Sequence, residues 1–336
     1  MFGALIIQSN NFNSLNSGFR VVKASAWSLG VLINYVTSEA ALGSGLVAEQ
    51  VDSVPAERVC KSTRASDKSQ FTLFNPVPEW LMREMNTDRP DMTESPYTVD
   101  AGHFQFELSL ANYTYIEDES VKTETFSVLP TNLKVGLLNN VDIQFVFTPY
   151  VHEEAKALGN EAVTAGFSNT TQDGFSDDTQ VRLKINLWGN DGPELGFGDT
   201  ALAIMPFIKF PTGSDELTND HVEGGVIFPL AVALPSEFGL GVMAEVDFVY
   251  NELKEDYGID FVHTATIGHN IAGNLAGYIE YVGVAPQGTG GTYQAIGSAG
   301  LTYRLTDDWI VDFGGTASPS DSADDFTVFV GTSFRL

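Results

Sequence analysis

Arg182 and Lys184 stand two residues apart, flanked by Val181, Leu183 and Ile185. In an extended chain the two cations therefore share one face and the aliphatic groups the other. Lys209 has the same relation to Ile208 and Phe210, and Glu245, Asp247, Glu280, Arg304 and Asp312 are likewise set among apolar neighbours. Charges placed in this way suit a polar inner surface that holds ions or pairs with itself. Catalytic chemistry is poorly served by the rest of the chain. The five histidines, His103, His152, His221, His263 and His269, are scattered, and the single Cys60 has no companion at metal-ligand spacing. Gly297-Ser298-Ala299-Gly300 lacks the strand–turn–helix setting of a nucleophile elbow, and the glycines at 288, 290 and 291 open no helix that would bind phosphate. No catalytic residue, cofactor site or metal site is read. The enzyme alternative is a lipid hydrolase with Ser and His on the outside of a barrel, but the sequence brings no such pair together.

The elements that position the charges are strands. From His103 onward apolar and polar residues alternate: Phe104, Phe106, Leu108 and Leu110 oppose Gln105, Glu107 and Ser109. The pattern recurs and predicts twelve strands near 103–115, 122–138, 141–150, 178–188, 199–210, 222–234, 238–250, 258–270, 274–284, 292–304, 308–316 and 325–336. Most have the roughly 9 to 13 residues that a tilted strand needs to cross a hydrocarbon layer. Connections alternate between tight ones, such as Asn139-Asn140 and 235–237, and mostly longer ones, such as 151–177 and 211–221. Short turns on one side and long loops on the other mark an outer-membrane barrel, and an even strand count leaves both termini in the periplasm. The fold class predicted is all-β, a transmembrane up-and-down antiparallel barrel. A soluble β-sandwich also alternates, but strand length and polar inner faces favour the barrel.

Composition narrows the partners. The 44 acidic residues outnumber 17 basic ones for a net charge of −27, which excludes nucleic acid as a partner because phosphate contacts need a basic face. Apolar residues make up 43% of the chain, yet no uninterrupted apolar run of about 18 residues follows residue 40, so any membrane crossing must be made by strands. Much of the acid falls in the longer loops, where it suits solubility equally with cation gathering or divalent bridging to anionic surface lipid.

Residues 1–40 read as an export signal or an atypical N-terminal extension: Arg20 and Lys23 precede an apolar stretch at 24–36, followed by Ser38-Glu39-Ala40. Residues 41–99 read as a periplasmic lead-in or plug, with a short helix at 78–85, and 100–336 as the barrel. Trp80, Leu81, Met82 and Met85 need an apolar surface, so the segment is expected to enter or cover the periplasmic mouth.

Within the barrel, Arg182, Lys184, Lys209, Glu245, Asp247, Glu280, Arg304 and Asp312 are expected to line the lumen, since facing lipid would cost about 2–4 kcal/mol each at mid-membrane. They either fill a narrow barrel as an ion-pair lattice or line a polar path. Arg182, Lys184 and Lys209 would lie on neighbouring strands and repel unless offset. Glu245 and Asp247 are the structural candidates for that role. The functional alternative is the anionic end of an aromatic acid whose ring takes apolar lumen groups. Tyr113, Tyr115, Trp188, Tyr250, Tyr281, Tyr303 and Trp309 suit interfacial girdles.

Asp88-Arg89-Pro90-Asp91 through Thr93-Glu94-Ser95-Pro96-Tyr97 to Ala101-Gly102-His103-Phe104-Gln105-Phe106-Glu107 resembles a family of outer-membrane transporters named after a MetA-type pathway of phenol degradation. So do Lys184-Ile185-Asn186-Leu187-Trp188-Gly189-Asn190-Asp191, Gly198-Asp199-Thr200-Ala201 on to Lys209-Phe210-Pro211-Thr212-Gly213, and Phe329-Val330-Gly331-Thr332-Ser333-Phe334. The resemblance spans roughly 71–336 and implies a barrel in the bacterial outer membrane. Its implied partners are outer-membrane lipid, the barrel-insertion machinery and a small hydrophobic or aromatic solute. Such barrels usually end in an aromatic residue, whereas this chain ends in Leu336 with Phe334 two residues before it. A closed envelope barrel without transport is the alternative function.

Overall fold

A computed structural model describes residues 67–118, 120–159, 168–193, 197–214, 217–218, 220–251, 254–287, 291–319 and 323–336. The expected export signal, Cys60 and the first part of the lead-in lie outside the described residues. Thirteen strand segments form one antiparallel sheet: β1 (Phe104–Glu117), β2 (Val121–Val128), β3 (Thr131–Leu138), β4 (Val141–Ala157), β5 (Thr170–Trp188), β6 (Thr200–Phe210), β7 (Glu223–Ala233), β8 (Phe238–Asn251), β9 (Asp256–Ala272), β10 (Leu275–Gln287), β11 (Gln294–Thr306), β12 (Trp309–Ala317) and β13 (Phe326–Arg335). β13 pairs back onto β1, from Gln105↔Arg335 to Tyr115↔Phe326, so the sheet closes and leaves no edge.

β2 and β3 both lie between β1 and β4, one above the other, and make a single stave of the wall. They are separated at Leu129, whose φ is +56°, and Pro130, which has no N–H to give a ladder. The barrel therefore has twelve staves. Four of the connections at one end, 139–140, 234–237, 273–274 and 307–308, are tight and the fifth, 189–199, is long, while the other end has short connections at 118–120 and 252–255 among longer ones. The first and last staves meet at the tight-turn end through Leu336 N–H donating to Phe104 O at 2.8 Å.

Parity along each stave sorts the side chains. Outward stand Ile279 and Phe313, 65% and 60% exposed, within a band that includes Ile208, Phe228, Phe248, Ile267 and Leu301. Inward stand Gln105, Glu107, Lys134, Asp142, Gln144, Lys184 and Asn186, all buried. Lipid cannot hydrate charge, so the polar set turns in. Replacing Phe313 by Arg is expected to destabilise the barrel by about 2–4 kcal/mol in urea unfolding from lipid vesicles. A change below 1 kcal/mol would place Phe313 outside the hydrocarbon.

One irregularity sets the outer boundary of that band. The β1–β13 register shifts between Ser109 and Ala111, which reverses parity in β1. Beyond this bulge Thr114 turns in to bond Thr327 at 2.9 Å, while Tyr113 and Tyr115 turn out onto Phe326. At the same level β2/β3 breaks at Leu129-Pro130 and the β4–β5 ladder skips past Pro149. Above it the outward face is charged, with Lys122–Glu124 at 3.0 Å, Lys156–Glu154 at 2.9 Å and His152–Asp173 at 2.7 Å. β4 and β5 thus run past the apolar band to Ala157 and from Thr170, shortening the expected loop 151–177.

Candidate functional site

The chain ahead of β1 does not form the predicted helix at 78–85. Only Glu79–Leu81 makes a 3-10 turn, and Pro78 and Met82 on either side are extended. Phe71, Val77 and Ala101 form a small apolar cluster against which Leu81 and Met82 pack, and Met85 is 2% exposed. Trp80, expected to share this contact, instead stands 80% exposed. A three-residue turn directs only part of its surface to one side, and the indole falls on the other.

Polar groups tie this segment to the tight-turn end. Asp100 is approached by Lys68 and Arg83 at 3.3 Å and by Arg335 at 3.6 Å, and Arg83 also reaches Asp191 at 3.1 Å and Asn139 O at 3.0 Å. Arg304 pairs with Glu84 at 2.8 Å.

Further along, residues 86–99 bond to inward-facing groups of eight staves. Asp88 accepts from Lys184 at 2.9 and 3.0 Å and pairs with Lys134, which in turn pairs with Glu107. Arg89 binds both oxygens of Asp312, at 3.2 and 2.6 Å, and also donates to Ser109. The N–H groups of Met92 and Thr93 and the Thr93 hydroxyl converge on Glu280 at 2.7–3.1 Å. Glu94 pairs with Arg182. The chain then returns, Pro96 O accepting from Asn186 at 2.9 Å and Val99 N–H donating to Asp142 at 3.0 Å. The wall is recessed to admit it: a Cβ on Gly136 would overlap the Asp100 carbonyl, and one on Gly331 the Arg89 guanidinium.

The basic cluster read from sequence divides. Arg182 and Lys184 meet the lead segment, whereas Lys209 pairs with Glu223 at 2.8 Å and Asp178 at 3.8 Å. The acids expected to offset Arg182 and Lys184, Glu245 and Asp247, interact with Arg182 at longer range but make no direct ion pair with either cation among the described residues. Glu94 and Asp88 do so instead, because the segment brings carboxylates closer than the neighbouring wall does. Nothing in the spacing of Asp88, Arg89, Thr93 and Glu94 marks them as site residues, although they stand in the stretch that carries the family resemblance. Also unforeseen is an apolar arc on the inner wall, where Met205, Ile227 and Met243 pack together, 0, 1 and 3% exposed, beside Phe207 and Val262. Ser298 of the Gly-Ser-Ala-Gly stretch lies inside β11 and bonds the Tyr278 hydroxyl at 2.9 Å, which is no nucleophile elbow.

Two carboxyls of the segment are displaced in opposite directions. Burial and the neighbouring Asp88 raise Glu94 to about 7, against the pull of Arg182 and Lys184. Asp88, despite burial, is held far below the usual carboxylate range by Lys134 and Lys184. Asp91 is raised, by burial first and Glu280 next. The charged groups facing Glu94 are Asp88 from its own segment and Lys134, Arg182 and Lys184 from the wall. A solvated Glu ionises near 4.5, so the docked segment binds this proton more tightly than a released one. Docking is therefore expected to strengthen as pH falls from about 7 towards 4.5 and to be weakest above 7, where charged Glu94 costs on the order of 3 kcal/mol. Asp91 acts with the same sign. The fraction of open time in planar bilayers should rise with pH through neutrality, with a shallower rise in Glu94→Gln. An unchanged profile in that variant would remove Glu94 from the docking equilibrium.

Residues 87–336 match the family described as "Putative MetA-pathway of phenol degradation". The chain belongs to this family. The match takes in the inner part of the lead segment as well as the whole wall. No curated protein matches the chain. Among solved structures, an outer-membrane channel from Pseudomonas putida F1 superposes with a TM-score of 0.51 at 9% identity, covering 75% of this chain and all of that one. The NanC porin (TM-score 0.41, 12% identity, 69% and 100% covered) and the CymD monoaromatic hydrocarbon channel (0.34, 7%, 69% and 87%) are more distant. At such identities the likeness to the Pseudomonas channel shows the fold: a membrane β-barrel of the outer-membrane type.

Proposed function

We propose that the protein sits in the bacterial outer membrane, with its tight turns and the lead segment on the periplasmic side, and acts as a passive channel for small apolar or aromatic molecules. The observation that carries this reading is where the inner wall's charges find their partners. In a barrel that only braces the envelope, the lattice would run from wall to wall. Here Arg182, Lys184, Asp312, Glu280 and Asp142 are answered by a segment that belongs to no stave. A segment held in this way can leave, and the wall behind it is polar enough to hydrate. The apolar arc around Met205 gives an uncharged solute a surface on the same wall.

Signal-directed export, lipid contact and assembly by the insertion machinery are part of this reading. Lipid contact is supported by the outward apolar band, and recognition by the insertion machinery by Phe334, whose ring stacks on Phe106 at 5.2 Å. The test is electrical. Refolded protein in planar bilayers should give discrete conductance steps, reduced by aromatic solutes. Their absence both in the wild type and after removal of the lead segment would leave the envelope-bracing reading.

A further inference from the structure

We propose that Arg182 and the apolar arc beside it form a subsite for a small monocarboxylate with an apolar body, and that Glu94 occupies its anion position until such a solute displaces it. This deepens the channel reading and rests on it.

The Arg182 guanidinium is fixed before any solute arrives. Its Nε and Nη2 both donate to Gln180 Oε1, at 3.0 and 2.8 Å, and its Cζ lies 5.9 Å from the centre of the Phe207 ring. Nη1 is left to face the segment, where it meets Oε1 of Glu94. That occupant is a poor fit. Glu94 Oε2 is buried and accepts no hydrogen bond, and it faces the Asp88 carboxylate: protonated Glu94 donates a hydrogen bond to Asp88, whereas charged Glu94 is repelled by it. Its backbone is loosely held as well: the amides of Met92 and Thr93 have a carboxylate for an acceptor, but the amide of Glu94 has only the Met243 sulfur, at 3.4 Å.

One side of this anion position is apolar, while Glu245 and Asp247 of β8 are the wall acids that also interact with Arg182. Met205, Ile227 and Met243 form the floor of that side and Phe207 its wall. Methionines adapt to flat and irregular shapes, so the floor accepts an aromatic or compact aliphatic body. A free carboxylate is not tied to the segment's backbone and places both oxygens where they are hydrated or bonded. By taking Arg182 from Glu94 it also loosens the tip of the segment, which links solute arrival to opening.

Calorimetric titration of refolded protein in detergent at pH 7.5, with benzoate as the probe, tests the subsite without requiring flux. Wild type should bind benzoate. Glu94→Gln, which keeps the shape and removes the competing charge, should bind it about tenfold more tightly, and Arg182→Gln about tenfold more weakly. Benzyl alcohol should not distinguish Arg182→Gln from wild type, and acetate should bind at least tenfold more weakly than benzoate. Heat-modifiable gel mobility confirms that each variant is folded, and Glu94→Gln decides the matter if Arg182→Gln is not. Benzoate affinity unchanged in Glu94→Gln, or acetate bound as tightly as benzoate, overturns the proposal. Benzoate binding that follows this pattern without bilayer conductance would sink the channel reading alone. Conductance in a protein whose benzoate affinity ignores Glu94 would sink the subsite alone.

Discussion

Replacing Asp88 by Asn is expected to release the lead segment from the lumen while leaving the barrel folded. Asp88 is the ion-pair partner of Lys184, which is 0% exposed, and shares Lys134 with Glu107. Asparagine keeps the size and can still accept the Ser95 N–H, which Asp88 takes at 2.8 Å, but it removes the charge. Stripping one partner from a buried pair costs about 3–5 kcal/mol, and Asp142 opposite Lys184 and Glu107 beside Lys134 keep the cost here towards the lower end. The docked state bears this cost and the released state does not, since water then reaches the lysines. Docking should therefore weaken on the order of 10² to 10³-fold. Trypsin offers a direct reading: Arg83 is held by Asp100, Asp191 and Asn139 when the segment is docked, and cleavage after it should become rapid in Asp88→Asn. Wild-type cleavage rates in a folded variant would show that Asp88 does not hold the segment.

Deletion of residues 71–96 is the second large effect, and its expected result is a conductance increase on the order of tenfold. A barrel of twelve staves encloses much less space than a porin of 16 to 18, so a chain crossing the lumen takes up a large share of the section. The deletion also removes Asp88 and Glu94 from Lys134, Lys184 and Arg182, so anion permeability should rise relative to cation permeability. The lysines and the arginine become hydrated, and the variant should still insert and keep its heat-modifiable mobility. An unchanged conductance with an intact barrel would reduce the segment to a tether.

The twelve staves, their order and the side each residue faces were legible from alternation alone, because lipid imposes it. A residue such as Phe313 must be apolar and its neighbour Asp312 must turn inward whatever the rest of the molecule does. The alternation of tight and longer connections was local too, as Asn139-Asn140 shows. The bulge at Leu110 was not legible: Ser109-Leu110-Ala111 contains neither Gly nor Pro to mark it, and the shift follows from matching β1 to β13 across the closure. The outer ends of β4 and β5 escaped for another reason. Above the apolar band both faces are polar, and period two has no contrast to show.

The candidate site divides along the same line. That Arg182, Lys184, Glu280 and Asp312 face inward follows from parity, a property of the neighbouring residues. Which groups they meet does not. Asp88 lies 96 residues from Lys184, and Arg89 lies 223 from Asp312. No periodicity connects positions so far apart; only closure of the wall around the segment brings them together. The apolar arc of Met205, Ile227 and Met243 is a similar case. Parity with Lys209 and with Glu245 turns Met205 and Met243 inward, but the three residues look like any other apolar strand residues, and nothing in the sequence says that they meet one another or lie beside Arg182. The closed barrel brings them together, next to the cation that a carboxylate would seek.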